Sequence, residues 1–219
     1  MSSRKAVIVV PSRQGGFMKN SHRIIGIGIA ASISGCAYHR MPELSQYTGA
    51  TYEPWMSAEA LSAITFDLPA SKSKIKEALP VCVAQHVTNR EVSLSDSSSS
   101  FWGPYSGRYY NLQRTYGVGG GNVIQQVGDD GRVVVAQGVT RYQAGALVER
   151  YVRFTLTARQ LSTGTSFRFA ALEQAQANTG AVANMGYTKI GSFAGSNPDQ
   201  AAATLKVVAD NIYHCLSSN

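Results

Sequence analysis

The sequence predicts an α+β fold, one antiparallel sheet with two helices packed on one of its faces, and three observations carry that expectation. Residues 122–174 hold successive stretches in which apolar and polar side chains alternate, the period of a strand with one buried face. Two further stretches repeat apolar residues every three or four positions, the period of an amphipathic helix. The order along the chain is strand, helix, several strands, helix, which a single sheet with both helices on the same side satisfies.

The N-terminal stretch stands apart from that fold. Lys19, His22 and Arg23 make a short cationic start, Ile24 to Ile33 make an apolar run too short to span a bilayer, and small residues follow before a cysteine. Ile33-Ser34-Gly35-Cys36 resembles the bacterial lipobox and matches it at all four positions. The resemblance implies cleavage before Cys36, a diacylglycerol on its thiol and, as a rule, an acyl chain on the new amino group. That covalent lipid is the one non-protein group expected, and two or three chains anchor a protein nearly permanently. Ala37, where an Asp would signal inner-membrane retention, implies the outer membrane, with the domain facing the periplasm. Residues 1–35 are then leader and signal peptide, and translation from Met1 or from Met18 fits equally well. The competing reading of Ile24 to Ile33, a core segment of a cytosolic fold, leaves the ordered cationic, apolar and small-residue regions unexplained.

Charge excludes one class of partner. The whole chain has a net charge of +7, but five of its 20 basic residues and none of its 13 acidic ones precede Cys36, which leaves +2 from Cys36 onward. Nucleic acid is therefore not an expected partner.

Residues 36–58, with Pro42, Gly49 and Pro54 and no sustained period, read as a lipidated tether, and 59–219 as the folded domain. Tyr47, Tyr52 and Trp55 are expected to pack back on the domain or to lie at the lipid interface. Ala63 to Leu68 alternate as a strand that Pro69 stops. From Ser71 to Val87, the residues Ile75, Leu79, Val83 and Val87 form one helical stripe, which Pro80 should kink or split. Glu91 to Ser95 alternate again.

Residues 96–121 combine a serine run, a glycine run and six large rings, a composition unsuited to a regular core element. One reading is a surface excursion that shields a sheet edge, with Gly117 to Gly121 as a flexible turn. The other makes a recognition surface of Phe101, Trp102, Tyr105, Arg108, Tyr109, Tyr110, Arg114 and Tyr116, because Tyr, Trp and Arg are enriched at interface hot spots and rings also stack on sugars.

Asn122 to Val127 and Arg132 to Tyr142 flank Asp129-Asp130-Gly131, residues that tolerate the positive φ of a hairpin turn. In Val148 to Gln160 the residues Val152, Phe154, Leu156 and Ala158 share one face. After a turn at Ser162 to Thr165, the residues Phe167, Phe169 and Ala171 continue it, and a short strand is expected near Tyr187 to Phe193. Asn197, Pro198 and Gln200 resemble a capped helix start, followed by Leu205, Val208, Ile212 and Leu216 along one side. This order is similar to the helix-grip-like domains of some envelope-assembly lipoproteins, a likeness of topology that carries no function.

With Cys36 lipidated, Cys82 and Cys215 remain, and export to an oxidising space predicts a disulfide between them. A zinc site using Cys82 with His86 and His214 with Cys215 is the alternative, disfavoured because adjacent helical residues point about 100° apart. No metal site is expected. Nor is an active site, since no nucleophile elbow, phosphate loop or metalloprotease helix pair occurs. Two function classes follow: a structural or assembly lipoprotein that docks on another envelope protein, or a module binding a glycan such as peptidoglycan or surface polysaccharide through residues 101–116.

Overall fold

A computed structural model describes residues 39–70, 78–145 and 147–218. The signal region, Cys36 and the stretch 71–77, which carries the Ile75 end of the expected helix, lie outside the described residues. The chain is α+β, built on a seven-stranded antiparallel sheet and two helices. In chain order the elements are β1 (Thr51–Trp55), β2 (Ala58–Pro69), α1 (Ala78–His86), β3 (Glu91–Asp96), β4 (Phe101–Trp102), β5 (Tyr109–Tyr110), β6 (Arg114–Gly119), β7 (Ile124–Gly128), β8 (Val133–Gln143), β9 (Glu149–Gln160), β10 (Gly164–Gln176), β11 (Thr188–Gly191) and α2 (Pro198–Ser218). Strand order in the large sheet is β1-β2-β11-β10-β9-β8-β7.

Alternation along the strands builds the inner face. Val134 and Ala136, then Val152, Phe154, Leu156 and Ala158, then Phe167 and Phe169, all point the same way and are buried. The stripes Leu79, Cys82, Val83 of α1 and Leu205, Val208, Ile212, Leu216 of α2 close over them in one apolar core. Gly138 is required there: a Cβ would come within 2.6 Å of the Val87 side chain and 2.7 Å of the Phe154 ring. The β7–β8 turn uses Asp129, Asp130 and Gly131 at positive φ, as their residue types anticipate.

Four expectations are corrected. Residues 41–58 are not a tether: Met41 donates its amide to Ser192 O at 2.8 Å, Pro42–Gln46 form a 3-10 turn with Leu44 buried, and β1 pairs along β2. Tyr47 and Tyr52 pack against the core and Trp55 stacks on Phe193. Ala171 does not continue the apolar face. The β9–β10 register shifts between Ala170 and Glu173, Ala171 takes φ 51° and is exposed, and Leu172 moves into the buried place. The expected capping box is also absent: Asn197 sits in the left-handed region with its carbonyl accepting from Ala201 N, while the side-chain oxygen of Gln200 is buried without a hydrogen-bond partner. The stretch 96–121 adds no strand to either edge of the large sheet. Its C-terminal part, β6, pairs antiparallel with β3 in a separate two-stranded sheet, and Gly117 to Gly119, read as part of a turn, belong to that strand.

Cys82 and Cys215 are joined, with their Cα atoms 5.7 Å apart, so α1 and α2 are linked covalently as well as by packing. The zinc alternative falls with it, because both thiols are consumed. Beneath the start of α2, a polar cluster replaces apolar contact: Tyr142 donates to Gln174 Oε1 at 2.8 Å, and Gln174 Nε2 donates to Ser196 Oγ at 2.8 Å and Ser196 O at 3.0 Å. Arg150 donates to the same carbonyl at 3.0 Å. Among the described residues, no helix is long and apolar enough to cross a membrane.

Candidate functional site

The feature that the core does not explain is an arm. The strands β3 and β6 pair from Glu91 opposite Gly119 to Asp96 opposite Arg114, and the same two strands of chain meet again where Phe101 faces Tyr110 and Trp102 faces Tyr109. Between these pairings, Ser97 to Ser100 make a turn, and Ser100 Oγ bridges to the returning strand by accepting from Leu112 N at 2.9 Å. The result is one long, interrupted hairpin.

Its root is fixed on the outer face of the large sheet. Val92 and Leu94 are buried with Val139 and Ala175, and Tyr116, Val118, Tyr151 and Tyr187 pack around them. Ser95 donates its amide to Ala177 O at 2.8 Å, and Val139 donates to Thr88 O at 2.7 Å. Asn184 acts as a clasp. Its side-chain nitrogen donates to Ser95 O at 3.2 Å and Gln176 O at 2.8 Å, its amide donates to Asp96 Oδ2 at 3.1 Å, and its carbonyl accepts from the Tyr116 hydroxyl at 2.7 Å.

Charge at the root is arranged to hold it near neutral pH. The Ser98 hydroxyl, then the amides of Asn184 and Ser98, hold the Asp96 carboxyl below the usual carboxylate range. Burial pushes the Tyr187 phenol up to about 12, against the opposing pull of Arg153, whose guanidinium lies 4.5 Å from the ring centre. The depressed Asp96 value contributes stability above the ordinary carboxylate pKa that is lost as pH falls through the folded value; the raised Tyr187 value contributes stability below an ordinary phenol's 10 that is lost as pH rises towards about 12. Protection factors of the Val92 and Leu94 amides, with the intrinsic pH dependence of exchange divided out, should therefore be largest between those limits and should fall at either extreme before those of Phe154 and Leu156. An equal fall in the protection factors of all four amides at either extreme contradicts a separately held root.

The tip carries the rings. Trp102 is 70% exposed, Phe101, Tyr109 and Tyr110 are about half exposed, and Tyr105 at the turn is fully exposed. Successive residues of a strand point to opposite faces, so the Phe101–Tyr110 pair, stacked at 5.1 Å, covers one side of the ribbon and the Trp102–Tyr109 pair, at 5.5 Å, covers the other. Gly103 lets the chain turn beneath the Tyr110 ring, since a Cβ there would lie 2.7 Å from it. The Tyr110 hydroxyl hydrogen-bonds Ser106 Oγ at 3.3 Å, and Gly103 donates to Arg108 O at 2.8 Å.

Of the eight residues the sequence singled out, six come together here: Phe101, Trp102, Tyr105, Arg108, Tyr109 and Tyr110. Arg114 lies further back opposite Asp96, and Tyr116 belongs to the root. Leu112, half exposed beside the tip, was missed, although an apolar residue within a polar stretch was a usable signal. Asp96 and Asn184 were missed as well, because their partnership spans 88 residues of sequence. Comparison with known protein families, curated proteins and solved structures finds no match for this chain.

Proposed function

We propose that the protein is a non-catalytic lipoprotein of the outer membrane, anchored through acylated Cys36, whose domain serves as a structural or assembly component and whose aromatic arm is its contact element. The observation that carries this reading is the nearness of the folded domain to the lipobox. Met41 is already hydrogen-bonded into the fold, five residues after Cys36. At about 3.3 Å per extended residue, the domain starts within ~17 Å of its lipid, not several nanometres away. Arg40 further stiffens this approach, because its guanidinium lies 3.7 Å from the centre of the Tyr52 ring and pairs with Glu59. Two helices against one antiparallel sheet support the helix-grip-like arrangement as a likeness of topology. A glycan-binding platform is less well supported. A platform for an extended sugar chain needs a row of rings on one face, whereas these four rings are split two and two between opposite faces.

Metabolic labelling with a radiolabelled fatty acid tests the anchor. The wild-type chain should take up label and fractionate with the outer membrane, and Cys36→Ala should abolish the label and leave unprocessed precursor. Label retained in that variant contradicts the reading.

A further inference from the structure

We infer that the arm is a second membrane contact: its aromatic tip inserts among the phospholipid headgroups of the same bilayer that holds Cys36. The inference rests on the lipid-anchored reading and names the arm's partner. Three observations converge on it.

The first is that both faces of the tip are aromatic, with Phe101 and Tyr110 on one side and Trp102 and Tyr109 on the other. A protein site would have to close around the ribbon from both sides, whereas the interfacial layer of a bilayer surrounds an inserted tip without being shaped to it. Trp and Tyr suit that layer because each joins an apolar ring to a hydrogen-bonding group. The second is charge. From Ser97 to Gly128 the chain has no acidic residue, while Arg108 and Arg114 flank the rings, so nothing on the arm beyond Asp96 repels anionic headgroups.

The third is placement. The anchor enters the fold at Met41, bonded to Ser192, and the arm leaves it at Ser97, whose amide donates to Gly180 O at 2.6 Å. These two points flank one cleft of about 280 Å³, walled by Trp55 and Phe193 beside the anchor and by Thr179 and Asn184 beside the arm. Exposed apolar side chains stand around it: Met185 in its lining, Met56 next to Trp55 and Val182 in the loop between. Both reaches are short: the seven residues from Ser97 to Pro104 at the tip span at most ~23 Å, reduced by the turn at Ser97 to Ser100, and the five from Cys36 to Met41 at most ~17 Å.

The test uses the mature lipoprotein purified from cell membranes and reconstituted into protein-free vesicles of phosphatidylethanolamine and phosphatidylglycerol. The chain has two tryptophans, so Trp55→Phe leaves Trp102 as the single reporter. Its emission should shift to the blue on reconstitution and lose most of its intensity when the acyl chains carry bromine near the headgroup. Tyr105→Asp, a change at a fully exposed position, should melt like the parent yet lose the shift. Vesicle-bound protein whose Trp102 emits as in water overturns the inference while leaving the anchor intact. Shielding of Trp102 in native envelopes but not in protein-free vesicles also overturns it and assigns the arm to a protein partner. Protein that bears no acyl chain and fails to float with the vesicles overturns the anchored reading and this inference together, and flotation separates that failure from failure of the arm alone.

Discussion

Phe154→Asp and Leu205→Asp each abolish cooperative folding of the domain. Phe154 lies on the inner sheet face with its ring edge-on to Phe169 at 5.1 Å, and Leu205 covers that face from α2 with no exposed surface. Truncating a buried Phe or Leu costs roughly 2–5 kcal/mol in lost transfer and cavity terms, and an unpaired carboxylate adds a desolvation cost of several kcal/mol more. The sum approaches or exceeds the 5–15 kcal/mol that holds a typical domain together. Circular dichroism should show neither variant melting cooperatively. Melting of both like the parent would mean that the facing of β9 or of α2 is wrong.

Removing the Cys82–Cys215 disulfide lowers the melting temperature by about 10 °C or more. The bond spans 133 residues, and loop closure of that length constrains the unfolded chain by about 5 kcal/mol. In a domain of 150–250 residues each kcal/mol moves the midpoint by roughly 2–4 °C. The paired variant Cys82→Ala, Cys215→Ala isolates this term, since changing one cysteine alone leaves a reactive thiol. Thiol titration of the unreduced, denatured mature chain should find no free thiol at Cys82 or Cys215. Titratable thiols at both positions, or a double variant that melts with the parent, would contradict a bonded pair.

Local signals read well where a single period governed a whole element. The alternation of Val152, Phe154, Leu156 and Ala158 and the stripe of Leu205, Val208, Ile212 and Leu216 lead to faces that are buried as expected. The disulfide was legible too, because an expected acylation of Cys36 leaves two cysteines and the expected export favours their pairing, without knowledge of the fold. Interruption of a period was harder to see. The bulge at Ala171 leaves no mark in composition, since Ala is compatible with either face, and only pairing across to Arg153 and Thr155 reveals the shift. Residues 41–58 misled for a related reason. Their prolines and glycine resemble a linker, yet Pro54 is tolerated in β1 because that strand is at the sheet edge. The six tip residues were found by type alone, whereas the division of four of them, Phe101 and Tyr110 against Trp102 and Tyr109, between two faces, on which the proposed insertion rests, depends on the cross-strand register. That register is closed by the tip turn, where Gly103 donates to Arg108 O, and it is offset by one residue from the β3–β6 pairing, so strand alternation carried up from the root does not reveal it.

The most direct test of the anchored, arm-inserting account is photocrosslinking from the arm in living cells. A benzophenone amino acid at position 105, which points freely into the surroundings, replaces Tyr105 without disturbing the packed root. After irradiation, the account predicts that the lipoprotein gains the mass of one phospholipid at the tip, and that Cys36→Ala removes this adduct by releasing the domain from the bilayer. A discrete adduct to another protein at position 105, with no phospholipid adduct, would contradict it.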